Sequence, residues 1–249
     1  MWQEITGLPH TTTRSELIRA YLPVKVGDVC TEFARHEAER VIRGQPYIAD
    51  AVVRPIHDGT GSVRLEIDTV DELPLIVFAS LGHGTLASLG VGNGNYGGNG
   101  LAANVFFERG FNYRNGYGFD AVQYGFLGMP WNLALRAKQG PTGEAWGVEF
   151  GNPLLTDLQQ RSFHTGITST TDYYGLLRPA GDAIGLFVRR SGYDAGMVWR
   201  LGSPGRVTGL LGGLLMGEDS RIDRDNFVVL SDSGIVPTAP IASLLTGVA

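Results

Sequence analysis

The segment Gly92-Asn93-Gly94-Asn95-Tyr96-Gly97 has the GxGxxG spacing by which a glycine-rich turn brings backbone N–H groups against a dinucleotide pyrophosphate. That chemistry needs a strand before the turn and a helix after it. Residues 101–111 read as a strand instead, so the glycines are assigned to a hairpin turn and no cofactor is expected. The histidines, His10, His36, His57, His83 and His164, show neither HExxH nor HxxxH spacing, and no metal ligand is assigned among them. Ser162 and His164 are two apart and share a strand face, which is the nearest approach to a Ser–His nucleophile, while Thr165 falls on the other face. No orienting third group is evident, so the pair is read as polar strand residues. Cys30 is the only cysteine, which excludes an internal disulfide and a cysteine-based metal cluster. Asp68-Thr69-Val70-Asp71-Glu72 is read as a solvated linker. No catalytic residue is assigned, and a non-enzymatic role is expected.

The bulk properties agree with a scaffold of strands. Net charge is -5, so there is no basic excess to attract nucleic acid. Charged residues are 18%, below the usual quarter of a soluble domain, and glycine (36 residues) is about twice its average share. No stretch of roughly 18 apolar residues marks a transmembrane helix. Residues 1–7 carry neither a basic nor an apolar export region, so a fragment or a misplaced start is expected.

Two regions have different periods. Residues 1–72 read as β-α-α-β-β. Trp2 to Thr6 is a short strand. Thr13-Arg14-Ser15-Glu16 fits a capping box opening a helix through Leu17, Ile18 and Tyr21, ended before Pro23. Val26-Gly27-Asp28 is a turn. Thr31 opens a second helix with Phe33, Ala34, Glu37, Ala38, Val41 and Ile42 at helical spacing, and Gly44 sits as its C′ glycine. Tyr47 to Arg54 and Ser62 to Asp68 form a hairpin across residues 57–61.

From residue 73 to 249 no helix is expected, and segments of about ten residues alternate with period two. Trp131, Leu133, Leu135 and Ala137 form one apolar stripe, Trp146, Val148 and Phe150 a second, Ile184, Leu186 and Val188 a third, and Tyr193, Ala195, Met197, Trp199 and Leu201 a fourth. In lipid every backbone group must pair within the protein, so spanning strands close into a barrel with apolar residues outward. Tyr117, Trp131, Trp146, Tyr173, Tyr174, Tyr193 and Trp199 suit interfacial girdles. A soluble β-sandwich also alternates and is the competing architecture.

These residues resemble a known family. Ile5-Thr6-Gly7, Val26-Gly27-Asp28, the helix end Glu39-Arg40-Val41-Ile42-Arg43 and Tyr47-Ile48-Ala49-Asp50-Ala51-Val52-Val53 resemble a POTRA domain of the BamA-type outer-membrane barrel-assembly superfamily (the bacterial surface antigen family). Residues 90–100 resemble that family's first barrel hairpin, and Phe150-Gly151-Asn152-Pro153-Leu154 an early strand end. The fold implied is an α+β POTRA-like periplasmic domain followed by the N-terminal part of a sixteen-stranded antiparallel transmembrane barrel. This chain shows nine or ten strand candidates, no match to the late lumen loop and no terminal aromatic, with residues 231–240 as a loop. An incomplete barrel is therefore expected, with a small closed one as the alternative.

The resemblance implies insertion of β-barrel proteins into the outer membrane. Unfolded outer-membrane protein clients, outer-membrane lipids and accessory lipoproteins would be its partners, with no cofactor. The strand edge of Tyr47, Ile48, Ala49, Val52, Val53 and Arg54 would receive a client by β-augmentation. The first barrel strand and hairpin, with Thr85, Leu86, Leu89, Gly90, Gly92, Gly94, Asn95, Gly98 and Gly100, would act as a lateral gate made flexible by its glycines. The alternatives are a polypeptide-secretion pore of the same superfamily, the barrel of an outer-membrane lipid hydrolase, and a soluble β-sandwich binding protein.

Overall fold

A computed structural model describes residues 12–59, 61–82, 84–110, 114–140, 142–177, 183–202, 209–222 and 241–248. The expected strand at Trp2 to Thr6 lies outside these. The first unit has helices α1 (Ser15–Ala20) and α2 (Glu32–Arg43) and a hairpin of β1 (Ile48–His57) and β2 (Val63–Asp71), paired antiparallel from Val52↔Asp68 to His57↔Val63. The apolar stripe of α2, with Ala38, Val41 and Ile42, packs on Leu17, Ile18, Tyr47, Ile48, Ala51 and Val53. Ile42 and Val53 are fully buried, each contributing about 1.5–3 kcal/mol by leaving water.

Local signals give α2 more faithfully than α1. Thr31 caps α2, its Oγ1 accepting from Ala34 N at 3.1 Å. Thr13 does not cap α1: Arg14 holds that position with no side-chain cap, and Thr13 is buried against residues far along the chain. Gly44 ends α2 with φ -76°, an ordinary right-handed conformation and not a left-handed C′. Phe33, expected on the apolar stripe, is exposed.

Ten strands then follow as one antiparallel sheet in chain order: β3 (Leu75–Gly82), β4 (Thr85–Tyr96), β5 (Leu101–Glu108), β6 (Gly116–Gln123), β7 (Asn132–Gln139), β8 (Gly143–Asn152), β9 (Arg161–Leu177), β10 (Ala183–Leu201), β11 (Gly209–Ile222) and β12 (Ile241–Val248). Among the described residues β3 and β12 are its edges, and the β1–β2 hairpin is a separate sheet. Among the described residues no helix is long and apolar enough to cross a membrane.

The register gives the sheet two unlike faces. One hydrogen-bonded row runs Gly92, Asn104, Asp120, Arg136, Gly147, Thr168, Gly192, Glu218. This polar face also carries the pairs Lys138–Glu108 (2.9 Å), His164–Asp194 (3.1 Å), Arg136–Glu149 and Arg190–Asp172 (both 3.4 Å). The adjacent row on the other face runs Val77, Val91, Val105, Phe119, Ala137, Trp146, and its large residues stand open to the surroundings, Val105 at 58%. That same row continues on β9 to β11 as Ser169, Ser191 and Asp219. On β10 the apolar stretch begins instead at Tyr193 and runs through Met197 and Trp199 to Leu201, while on β4 it has already given way to Asn93. The apolar band therefore crosses the hydrogen-bonded rows obliquely, as a band of fixed height does on tilted strands. Its length on β10 is eight residue steps, about 27 Å at roughly 3.4 Å each.

Of the expected girdle aromatics, Tyr117, Trp146, Tyr193 and Trp199 lie on the apolar face. Trp131 joins Phe126, Phe150 and Phe163 in a cluster with ring centroids 5.3–6.0 Å apart. Tyr174 lies on the polar face, where Arg190 donates to its hydroxyl at 2.8 Å. Val188 pairs with Asp172 and shares that polar face, so the third expected stripe is not continuous with the fourth.

Candidate functional site

The segment expected as the first barrel strand is internal to the sheet. β4 pairs with β3 on one side and β5 on the other, so the free edge belongs to β3. Leu89, Gly90 and Gly92 are thus paired on both sides, while Thr85 and Leu86 pair with β3. The glycines serve packing here. A Cβ on Gly90 would fall within the Phe78 ring, and one on Gly118 within the Phe106 ring. Phe78, Gly90, Phe106 and Gly118 form one row of the polar face, with the two rings 6.4 Å apart. Each ring occupies the notch of the neighbouring glycine. Both faces of β3 are therefore apolar, and the period-two signal that would have marked it is lost.

The other gate residues build a junction between the two units. Asn95 is buried: its Nδ2 donates to Thr13 Oγ1 and its Oδ1 accepts from Gly100 N, both at 2.8 Å. Thr13 N in turn donates to the Asp71 carboxylate at 3.2 Å, and Arg14 N to Gly98 O at 2.9 Å. Gly98 and Gly100 have φ of +70° and +75°, and Thr12 and Leu17 lie where their side chains would be. Gly94 N closes on Pro74 O at 2.5 Å.

Two further turns on the same end of the sheet are held in the same way. In the turn after β6, Tyr21 donates to Asn132 Oδ1 at 3.0 Å and accepts from Gly125 N at 2.9 Å, and Tyr47 packs on Tyr124. Burial pushes the Tyr21 hydroxyl up to about 12. In the turn after β8, Glu37 of α2 accepts from Thr156 Oγ1 at 2.6 Å and Asp157 N at 3.1 Å, while Arg40 donates to Leu155 O at 2.7 Å. Arg40 also grips Glu37 at 2.8 and 2.9 Å, and hydrogen bonds led by this guanidinium hold its carboxyl down at about 2. From β10, Arg200 holds the same turn through Asp157 at 2.7 Å.

The expected client edge is β1. Its groups facing away from β2 are engaged at 51 and 53. Arg43 donates to Ala51 O at 2.7 Å, Arg35 donates to Val53 O at 2.8 Å, and Glu39 accepts from Val53 N at 3.2 Å. Tyr47, Ile48 and Val53 are buried in the core, and Arg54 pairs with Asp68 at 2.8 Å. Ala49 is exposed, and Val52 is half-buried.

The chemistry-bearing pair gains a partner but not an alignment. Asp194 meets His164 at 3.1 Å, yet Ser162 Oγ donates to Asn152 O. His36 pairs with Glu32, and His57 ends β1. His10 and His83 lie outside the described residues. Among the described residues no three metal-ligating side chains gather.

No family model matches this chain, and no curated protein does. Among solved structures it is similar to that of BamA from Haemophilus ducreyi lacking POTRA domains 1–3, with a TM-score of 0.40 and 14% identity. The match covers 95% of this chain and 41% of that one, so this chain spans less than half its length.

Proposed function

We propose that this chain is the first part of an outer-membrane β-barrel that assembles other barrel proteins, with its small unit on the periplasmic side. The observation that carries the reading is the single meander of ten strands with an oblique apolar band on one face and ion pairs on the other. Such a band is stable against acyl chains and costly against water. The small unit, fixed to three turns at one end, stands where a client would arrive. The lateral gate is then the β3 edge, not β4. Unfolded barrel proteins, outer-membrane lipids and accessory lipoproteins are the partners on this reading.

Single-tryptophan versions of the chain, reconstituted in vesicles with brominated acyl chains, test the first half. Trp146 and Trp199 fluorescence should be quenched; recovery of the protein from water without detergent, with neither residue quenched, would refute it. For the second half, cross-linking residues 75–82 to the last strand of the complete parent should abolish insertion of a client barrel, and undiminished insertion would exclude the gate.

A further inference from the structure

The β1 edge carries its own substitute strand. Arg35, Glu39 and Arg43 lie at i, i+4 and i+8 on α2, a single stripe beside β1. Along the edge they present a donor to Ala51 O, an acceptor to Val53 N and a donor to Val53 O, which is the alternation that an added strand would supply. The neighbouring positions are closed too. Ala51 N donates to the Asp50 carboxylate at 2.9 Å, and Pro55, in phase with 51 and 53, has no N–H. The three side chains hold one another: Glu39 accepts from Arg43 at 3.1 Å and meets Arg35 at 3.5 Å. Glu32 braces Arg35 from outside, and Asp50 braces Arg43 at 2.9 Å.

We propose that this stripe is an autoinhibitory cap, so that an extended segment joins β1 only by displacing Arg35, Glu39 and Arg43 from its backbone. This rests on the reading of β1 as a client-receiving strand and names how that edge is regulated. While empty, the edge is not a template for indiscriminate pairing. Occupied, it exchanges three side-chain contacts for main-chain ones, so the net gain per client is small and release stays fast.

The test uses the full chain in detergent, with Cys30→Ser and Ala49→Cys. The probe is a synthetic peptide copying Leu101–Glu108 with one added cysteine carried as a mixed disulfide with glutathione; the thiolate introduced at position 49 attacks the peptide sulfur and releases glutathione. Arg35→Met with Arg43→Met keeps the side-chain stems and removes the donors, and should tighten half-maximal trapping about tenfold. Glu39→Gln should give a smaller gain. Equal trapping by the parent and the double methionine variant would overturn the cap. Should that variant not fold, Glu39→Gln decides alone: faster amide exchange at Val53 with no gain in trapping also overturns it. Failure of the assembly reading has a separate signature, absence of client insertion by the complete parent, which the peptide result does not affect.

Discussion

Glu37 offers the sharpest test of how the two units are joined. It lies on α2, is only 9% exposed, and its carboxylate takes two bonds from Arg40 and one each from Thr156 and Asp157. These hold its titration at about 2 against an ordinary 4.5. Converted in full, that difference is about 3.4 kcal/mol. Arg40 is largely open to water, and screening at such a site brings the working figure to about 2 kcal/mol. Because the folded value is lowered, the contribution is complete above pH 4.5 and fades as pH falls from there through 2. Glu37→Gln keeps the shape and removes the charge. Hydrogen exchange at the Asp157 amide reads the outcome directly, since that N–H donates to Glu37. At neutral pH the variant should exchange about thirtyfold faster, the equivalent of 2 kcal/mol of local opening. Its protection should also lose the parent's decline between pH 4.5 and 2. Unchanged exchange in the variant, or an identical acid profile, would refute this account of the junction.

Other consequences are equally concrete. Gly90→Ala should expel the Phe78 ring and cost about 1–3 kcal/mol, seen as a lower urea midpoint for the folded sheet, and trimming Phe78 to Leu in the same chain should restore part of it. Ile167→Arg, on the apolar face, should cost about 2–4 kcal/mol on folding into vesicles, whereas Thr168→Arg, one residue along on the polar face, should be tolerated. Tyr21→Phe removes bonds to Asn132 and Gly125 and should loosen the junction by about 1–2 kcal/mol. Since burial raises the Tyr21 hydroxyl to about 12, the parent's junction should hold below pH 10 and weaken from 10 to 12, and amide exchange at Gly125 in the Phe variant should lack that transition.

The elements legible in the sequence are those decided by neighbours along the chain. Thr31 caps α2 because its acceptor and Ala34 N are three residues apart. The alternation of Trp146, Val148 and Phe150 survives into the sheet because β8 has one apolar and one polar face. The misreadings share a cause as well. Thr13-Arg14-Ser15-Glu16 has the capping pattern, but Asn95, 82 residues away, takes the Thr13 hydroxyl. β3 carries no period-two signal because Phe78 fills the notch of Gly90 and leaves both faces apolar. Gly90 reads as flexibility in the sequence for the same reason, since the ring that occupies its space comes from another strand. Spacing alone puts Glu37 on the apolar stripe. A carboxylate among Ala34, Ala38 and Val41 signals a buried partner, but nothing nearby names Thr156.

These observations converge on α2. One stripe, Ala38, Val41 and Ile42, fills the core; a second, Glu37 and Arg40, clamps the turn after β8; a third, Arg35, Glu39 and Arg43, covers the β1 edge. The first two stripes fix the helix, with Ile42 fully buried and Glu37 bonded from three directions. Opening the edge by moving the helix would break the core and the junction together, at a cost well above the gain from a few strand hydrogen bonds. Opening it by side-chain rotation breaks only the third stripe, in which Arg43 and the bracing carboxylates Glu32 and Asp50 are already solvated. On the proposed reading, the edge is exposed and covered while the small unit keeps its place on the sheet, so a segment joining β1 would be held at a constant distance from the β3 edge.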